Sequence, residues 1–208
     1  MGDGVLWATC NIGAVNPWDY GEYYAWGETQ PKSEYSWDTY LWGDSVTFTR
    51  YTHPNDTLLP EDDAATANWG AEWRMPTLSE WYTLASSNHY SRTYVANYQG
   101  SGRRGIVVTR LSGRCRGNSI FLPYAGYKRN TDSHAPTIGA FFSNILSTER
   151  SAYGVVLDNS TGNSFIKRIN WSRCVGTSVR AVRQYPTYTV AAVSGNDTMG
   201  NVTGDGFF

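Results

Sequence analysis

The chain has 208 residues, of which 40% are hydrophobic, 15% aromatic and only 17% charged, with 21 glycines. That is enough apolar material for one core and too much glycine for a protein of long helices, so short strands and tight turns are expected. The formal net charge of −1 gives no reason to expect a nucleic-acid partner, and no apolar run is long enough to span a bilayer as a helix.

The near-neutral total hides an asymmetry. Residues 1–102 carry 4 Lys/Arg and 13 Asp/Glu, whereas residues 103–208 carry 13 and 5. Two readings follow. The acidic and basic parts interleave at one surface, or the second half presents a basic face to an anionic partner.

In chain order, residues 5–14 read as a strand with Val5, Trp7 and Thr9 on one parity. Residues 19–28 are aromatic and strand-like, 35–43 repeat that aromatic spacing, and 48–63 are mostly loop. A first helix starts at Pro60, where Glu61, Asp62 and Asp63 place negative charge on the positive end of the macrodipole. It continues through Ala64, Ala65 and Ala67, and Gly70 ends it. A second helix spans 78–87, with Thr77 and Glu80 as a capping box and Leu78, Trp81, Leu84 and Ala85 as its apolar stripe. The stretch 61–81, rich in Trp and carboxylates around Arg74, therefore reads as architecture rather than as a catalytic acid pair.

Residues 88–105 are polar and tyrosine-rich, with no element assigned. Strands are expected at 105–111 and 119–127, joined by a Gly- and Asn-containing turn, and then at 140–146, 151–158, 164–171 and 177–184. Strict alternation on 151–158 points Tyr153, Val155 and Leu157 inward and Gly154, Val156 and Asp158 outward. On 164–171, Phe165, Lys167, Ile169 and Trp171 share one parity. They form either an outward row or a core face with Lys167 as the exception. After Pro186 the sequence alternates again and turns at glycines. The chain therefore divides into a domain at 1–184 and, at 185–208, a linker with the opening of a further β-repeat module.

Cys10, Cys115 and Cys174 are far apart, as are His53, His89 and His134, and neither set has zinc-ligand spacing. No metal or cofactor is expected, and free buried thiols are preferred to a disulfide. Met1–Gly4 lacks the basic start and apolar stretch of a signal peptide.

Five blocks in order, "LWATCNIGA", "DYGEYYAWGET" with "PKSEYSW", "LPEDDAATANWGAEWRMPT" with "SEW", "SIFLPYAGY" and "SVRAVR", resemble the Fibrobacter succinogenes major paralogous domain family over residues 5–183. The resemblance implies an α+β, C-type lectin-like fold, with two helices and a twisted antiparallel sheet whose first and last strands are adjacent. That fold is related to formylglycine-generating-enzyme-like domains and to the variable proteins of diversity-generating retroelements. It makes Arg74 and Glu80 scaffold residues, with Trp69, Trp73 and Trp81 in or near the core. The segment before "SVRAVR" departs from the family, with Phe141 and Phe142 where Tyr-Trp is common.

In retroelement targets the residues just upstream of such an ending are the diversified ones. By that analogy the candidate binding residues are Phe142, Asn144, Ile145, Glu149, Arg150, Val156, Asp158, Asn163, Phe165, Lys167, Ile169, Trp171 and Arg173. The expected function is a non-catalytic adhesin- or receptor-like module on a bacterial cell surface, with a protein or glycan ligand and an export signal outside this sequence. The alternatives are a formylglycine-generating-like oxidase, which needs two neighbouring cysteines for copper, and a calcium-dependent lectin. The lectin tripeptides Glu-Pro-Asn and Gln-Pro-Asp are absent, and no Ser-His-Asp, GxSxG, Walker or HExxH pattern appears.

Overall fold

The structure is a computed structural model and describes residues 4–113, 115–134, 136–159 and 165–185. Asn163 and residues 186–208, the latter read as the start of a repeat module, lie outside the described residues.

The first half holds β1 (Val5–Trp7), β2 (Tyr23–Tyr24), α1 (Ala64–Trp69), β3 (Trp73–Arg74), α2 (Leu78–Ala85) and β4 (Tyr90–Val95). The second half holds β5 (Gly105–Arg110), β6 (Ser119–Pro123), β7 (Tyr127–Arg129), β8 (Asp132–His134), β9 (Gly139–Thr148), β10 (Ser151–Asp158), β11 (Phe165–Ser172), β12 (Thr177–Ser178) and β13 (Val182–Gln184). The class is α+β, with two α-helices and mostly antiparallel sheets among the described residues. No helix among these residues is long and apolar enough to cross a membrane.

The ends of the described chain meet. β1 pairs antiparallel with β13, Val5 opposite Gln184 and Trp7 opposite Val182. Contact continues past the ladder, where the Ala8 N–H donates to the Ala181 carbonyl at 2.9 Å and the Ile12 N–H to that of Val179 at 3.0 Å. The strand expected at 5–14 stops at Trp7, where a residue from the other end of the chain intervenes. Arg180, 1% exposed, donates to the carbonyls of Ala8 and Thr9 and to Asn11 Oδ1, which draws them out of a ladder. The segment 177–184 is likewise two strands in two sheets, because Val179 and Ala181 cross between them.

The five-stranded sheet runs β11-β10-β9-β12-β2, antiparallel except between β9 and β12. Its two faces bury two cores. Phe141, Val155, Leu157 and Ile166 pack on one side with Trp81 and Leu84 of α2 and with Ile106, Val108 and Leu122 of the β4-β5-β6 meander. Phe142, Leu146 and Ala152 pack on the other with Trp26, Tyr51, Ala64 and Ala65. Adjacent residues Phe141 and Phe142 enter opposite cores because side chains alternate along a strand. The 88–105 segment contains a strand that its polarity concealed. Only Tyr90 of β4 is buried, and Tyr94 packs against the first core.

Every charged side chain of the stretch 61–81 has a partner within the fold. Asp63 caps α1, accepting from the N–H groups of Ala65 (2.8 Å) and Thr66 (3.2 Å), and also from Met75 (2.8 Å). Pro60–Asp62 is a separate 3-10 turn rather than the first turn of α1. Thr77 and Glu80 form the expected capping box, and the Glu80 carboxylate takes both arms of Arg74 at 2.6 and 2.8 Å. Glu61 and Asp62 each pair with Arg50, and Glu72 pairs with Arg183. Trp81 is fully buried, while Trp69 and Trp73 are half-buried and in edge contact at 5.2 Å.

Candidate functional site

The candidate residues fall on three consecutive strands, and register decides which of them meet. β10 pairs with β11 so that Asp158 faces Phe165, Val156 faces Lys167, Gly154 faces Ile169 and Ala152 faces Trp171. These pairs put the same-parity residues on one side of the hairpin; the side chain of Phe165 lies outside the described residues. Lys167 is exposed, and its ammonium lies 3.5 Å from the Asp158 carboxylate. Val156, Asp158, Ile169 and Trp171 are half-buried. Ile166, on the opposite parity, is in the first core. The face shared by Lys167 and Ile169 is therefore not the α2 side.

Trp171 anchors the row. Its ring lies 4.6 Å from that of Tyr127 on β7 and packs against the second core. Its indole Nε1 is buried and has no partner among the described residues. Gly154 is required beside it: a Cβ there would stand 2.4 Å from the Phe141 carbonyl oxygen. β10 does not alternate as expected. Gly154, expected outward, is buried, and Tyr153, expected inward, is half-buried with the Arg168 guanidinium 5.6 Å from its ring centre. The register irregularity lies on β9, which carries extra residues opposite Ala152–Gly154, while β10 stays in register with β11.

Two candidates are corrected by burial. Phe142 is 2% exposed and belongs to the second core. Arg173 is fully buried. Its Nε donates to the Tyr40 hydroxyl at 2.7 Å, Nη1 to the carbonyls of Tyr51 (2.9 Å) and Glu149 (3.0 Å), and Nη2 to that of Arg50 (2.8 Å). The rings of Trp26, Tyr40 and Phe48 surround it at 5.1–5.4 Å. A fully buried guanidinium with four of its five N–H donors engaged clamps the 40–51 loop to the end of β11, and its burial keeps it from a ligand. Burial holds the Tyr40 phenol well above its usual range, so it remains a neutral acceptor.

The remaining candidates gather at the other end of β9. Asn144 and Ile145 are half-buried because residues 55–58 run along them. The Leu58 N–H donates to the Asn144 carbonyl at 2.9 Å, and the Leu146 N–H donates to that of Asp56 at 2.8 Å. Glu149 and Arg150 are exposed at the β9–β10 turn, and with Thr52, Pro54 and Thr148 they line an open depression. The candidate set thus divides into a hairpin face and a turn. Tyr127, Tyr153 and Arg168 adjoin the hairpin and were not among the candidates. Tyr127 sits in the 119–127 segment, read only as a strand, and Tyr153 was assigned inward by parity but is half-buried.

The three thiols are free. Cys115 Sγ is 3.0 Å from the Tyr185 hydroxyl, whereas Cys174 is buried with Ser172 Oγ at 3.2 Å, and burial pushes its thiol up. Among the described residues no three His, Cys, Asp or Glu side chains group as metal ligands would. Compared with known proteins, the chain matches no family model, no curated protein and no solved structure.

Proposed function

We propose that the chain is a non-catalytic ligand-binding module, adhesin- or receptor-like, displayed on a bacterial cell surface, with a C-type lectin-like fold of the Fibrobacter succinogenes major paralogous domain type. Support for the fold comes from the adjacency of β1 and β13, the pair of helices, and the Thr77–Glu80–Arg74 cluster at the start of α2. The ligand is a protein or a glycan. It is recognised by the β10–β11 face, extended by the Glu149–Arg150 turn.

The observation that carries this reading is the Lys167–Ile169–Trp171 row. It mixes a charge, an aliphatic and an indole on one side of a strand whose other side, at Ile166, is core. Residues that only close a core are rarely so mixed, and tryptophan is favoured at the centre of binding surfaces. The neighbouring strand is fixed by a second core at Ala152 and by the Gly154–β9 contact, so the row stands on a rigid base.

The experiment is a screen of the chain against glycan and protein panels, followed by hydrogen exchange on any complex formed. The reading expects protection of amides in 153–158 and 166–171. Protection confined to the β4–β6 meander would refute it.

A further inference from the structure

A second surface, outside the 142–173 segment and beyond the function proposed above, carries its own chemistry. Arg103 stacks over the Tyr20 ring at 4.3 Å, and the Lys128 ammonium lies 4.7 Å from the centre of the Tyr23 ring. The Tyr23 hydroxyl reaches the Ala125 carbonyl, and the adjacent Tyr124 N–H donates to the carbonyl of Arg104, next to Arg103, at 2.9 Å, so the two cation–ring pairs are neighbours. Neither cation has a carboxylate partner among the described residues, unlike Arg50, Arg74 and Arg183. The nearby acid, Glu22, directs its stem toward Gly13.

The positions are fixed by backbone bonds. The Tyr20 carbonyl accepts from the Asn11 amide and the Ser178 hydroxyl, both at 2.9 Å and both from fully buried residues. Tyr23 lies in β2, and its hydroxyl donates to the Ala125 carbonyl at 2.6 Å. Lys128 exchanges both backbone bonds with Gly176 at 2.8 and 3.0 Å. The Arg103 carbonyl accepts from the Tyr98 N–H at 2.9 Å. Burial and the neighbouring Tyr20 push the Tyr23 phenol up to about 12, so that ring stays uncharged beneath Lys128.

We propose that Tyr20, Tyr23, Arg103 and Lys128 form a binding subsite for an acidic saccharide, one bearing carboxylate or sulfate groups. A guanidinium stacked on a ring keeps its N–H edge free for a two-point contact with such a group. Lys128 adds a second, separate positive charge. The Tyr20 hydroxyl and the half-buried Trp18, whose ring lies 6.4 Å from that of Tyr98, supply the polar and apolar contacts that a sugar ring takes. One face of each tyrosine ring already carries a cation, which takes that face from a stacking nucleic-acid base. The site gives the basic excess of the second half a local meaning, because Arg103 and Lys128 both belong to it.

The test is titration of the whole chain with polygalacturonate, heparin, dextran and a single-stranded oligonucleotide, each at low and physiological salt. Binding to one or both acidic saccharides, little to dextran, and weakening as the Debye length falls to about 8 Å are expected. The double variant Arg103→Ala with Lys128→Ala should lose about tenfold or more in affinity with an unchanged melting temperature, while Arg116→Ala leaves binding intact. If the oligonucleotide binds as tightly as the saccharides, the surface is a general polyanion trap and the proposal fails. It fails equally if no acidic saccharide binds, or if the double variant binds like the parent.

Discussion

Arg173 Nε donates to the Tyr40 hydroxyl at 2.7 Å across 133 positions of sequence, and that hydroxyl in turn donates to the Trp26 carbonyl at 2.6 Å. One buried side chain thereby ties the long 26–51 excursion to the end of β11. Replacing Arg173 with Ala leaves the carbonyls of Arg50, Tyr51 and Glu149 without their donor. Unsatisfied buried groups cost about 1–3 kcal/mol each. Urea unfolding of Arg173→Ala should therefore show a loss of about 3 kcal/mol or more, the scale of a broken buried network. A loss under about 0.5 kcal/mol, the range of ordinary surface changes, would return Arg173 to the binding surface.

The α2 start gives a smaller and pH-dependent effect. Thr77→Ala should cost about 1 kcal/mol through the lost cap, with ligand binding unchanged. Burial alone would raise the Glu80 carboxyl, but Arg74 and the Thr77 N–H and hydroxyl hold it below the usual range. A depressed carboxylate contributes stability that is present above its unfolded value, near 4.3, and is lost as pH falls through the lower folded one. Burial displaces Asp63 the opposite way, so the comparison must be made against Glu80→Gln. The difference in melting temperature between the parent and that variant should shrink between about pH 5 and pH 2. A constant difference would mean that the Arg74 pair contributes nothing ionic.

At the alkaline end the tyrosines dominate. Burial, first of all, raises Tyr23, Tyr24, Tyr35 and Tyr51 to about 12. A raised folded value means that stability is fully present below the unfolded value, near 10, and is lost as pH rises through the folded one. Melting temperature should fall steeply between about pH 10 and pH 12, and phenolate absorbance should show a late-titrating group that merges with the rest in denaturant. A single transition near pH 10 in the folded protein would contradict the burial of these rings.

The readable parts of the sequence were those whose causes are local. Thr77 to Glu80, Gly70 and the apolar run of 105–111 each carry their physics within a few residues, and the cap, the helix end and the strand formed there, although α1 begins at Ala64 and not at Pro60. Phe142 and Arg173 were misplaced because their environments are assembled from afar, the first by Trp26, Ala64 and Ala65 and the second by residues 40–51. Gly154, expected outward, is buried because the sheet carries a core on both faces, which a period-two pattern reads as one. Arg103 on Tyr20 and Lys128 on Tyr23 were visible only as a charge excess, since the chain brings them together from opposite halves.

The central claim is that the Lys167–Ile169 side of β11 recognises a ligand on a scaffold that does not depend on it. The most direct measurement is a paired one on Lys167→Ser, Ile169→Ser and their double variant, taking melting temperature and affinity for whichever panel ligand the parent binds. Lys167→Ser should stay within about 0.5 kcal/mol of the parent, and half-buried Ile169→Ser should lose about 1–2 kcal/mol, less than a truncated core residue. Binding should weaken about tenfold or more in the double variant. Full binding in the double variant, or a loss of fold as deep as that of a core truncation at Ile169, would contradict it.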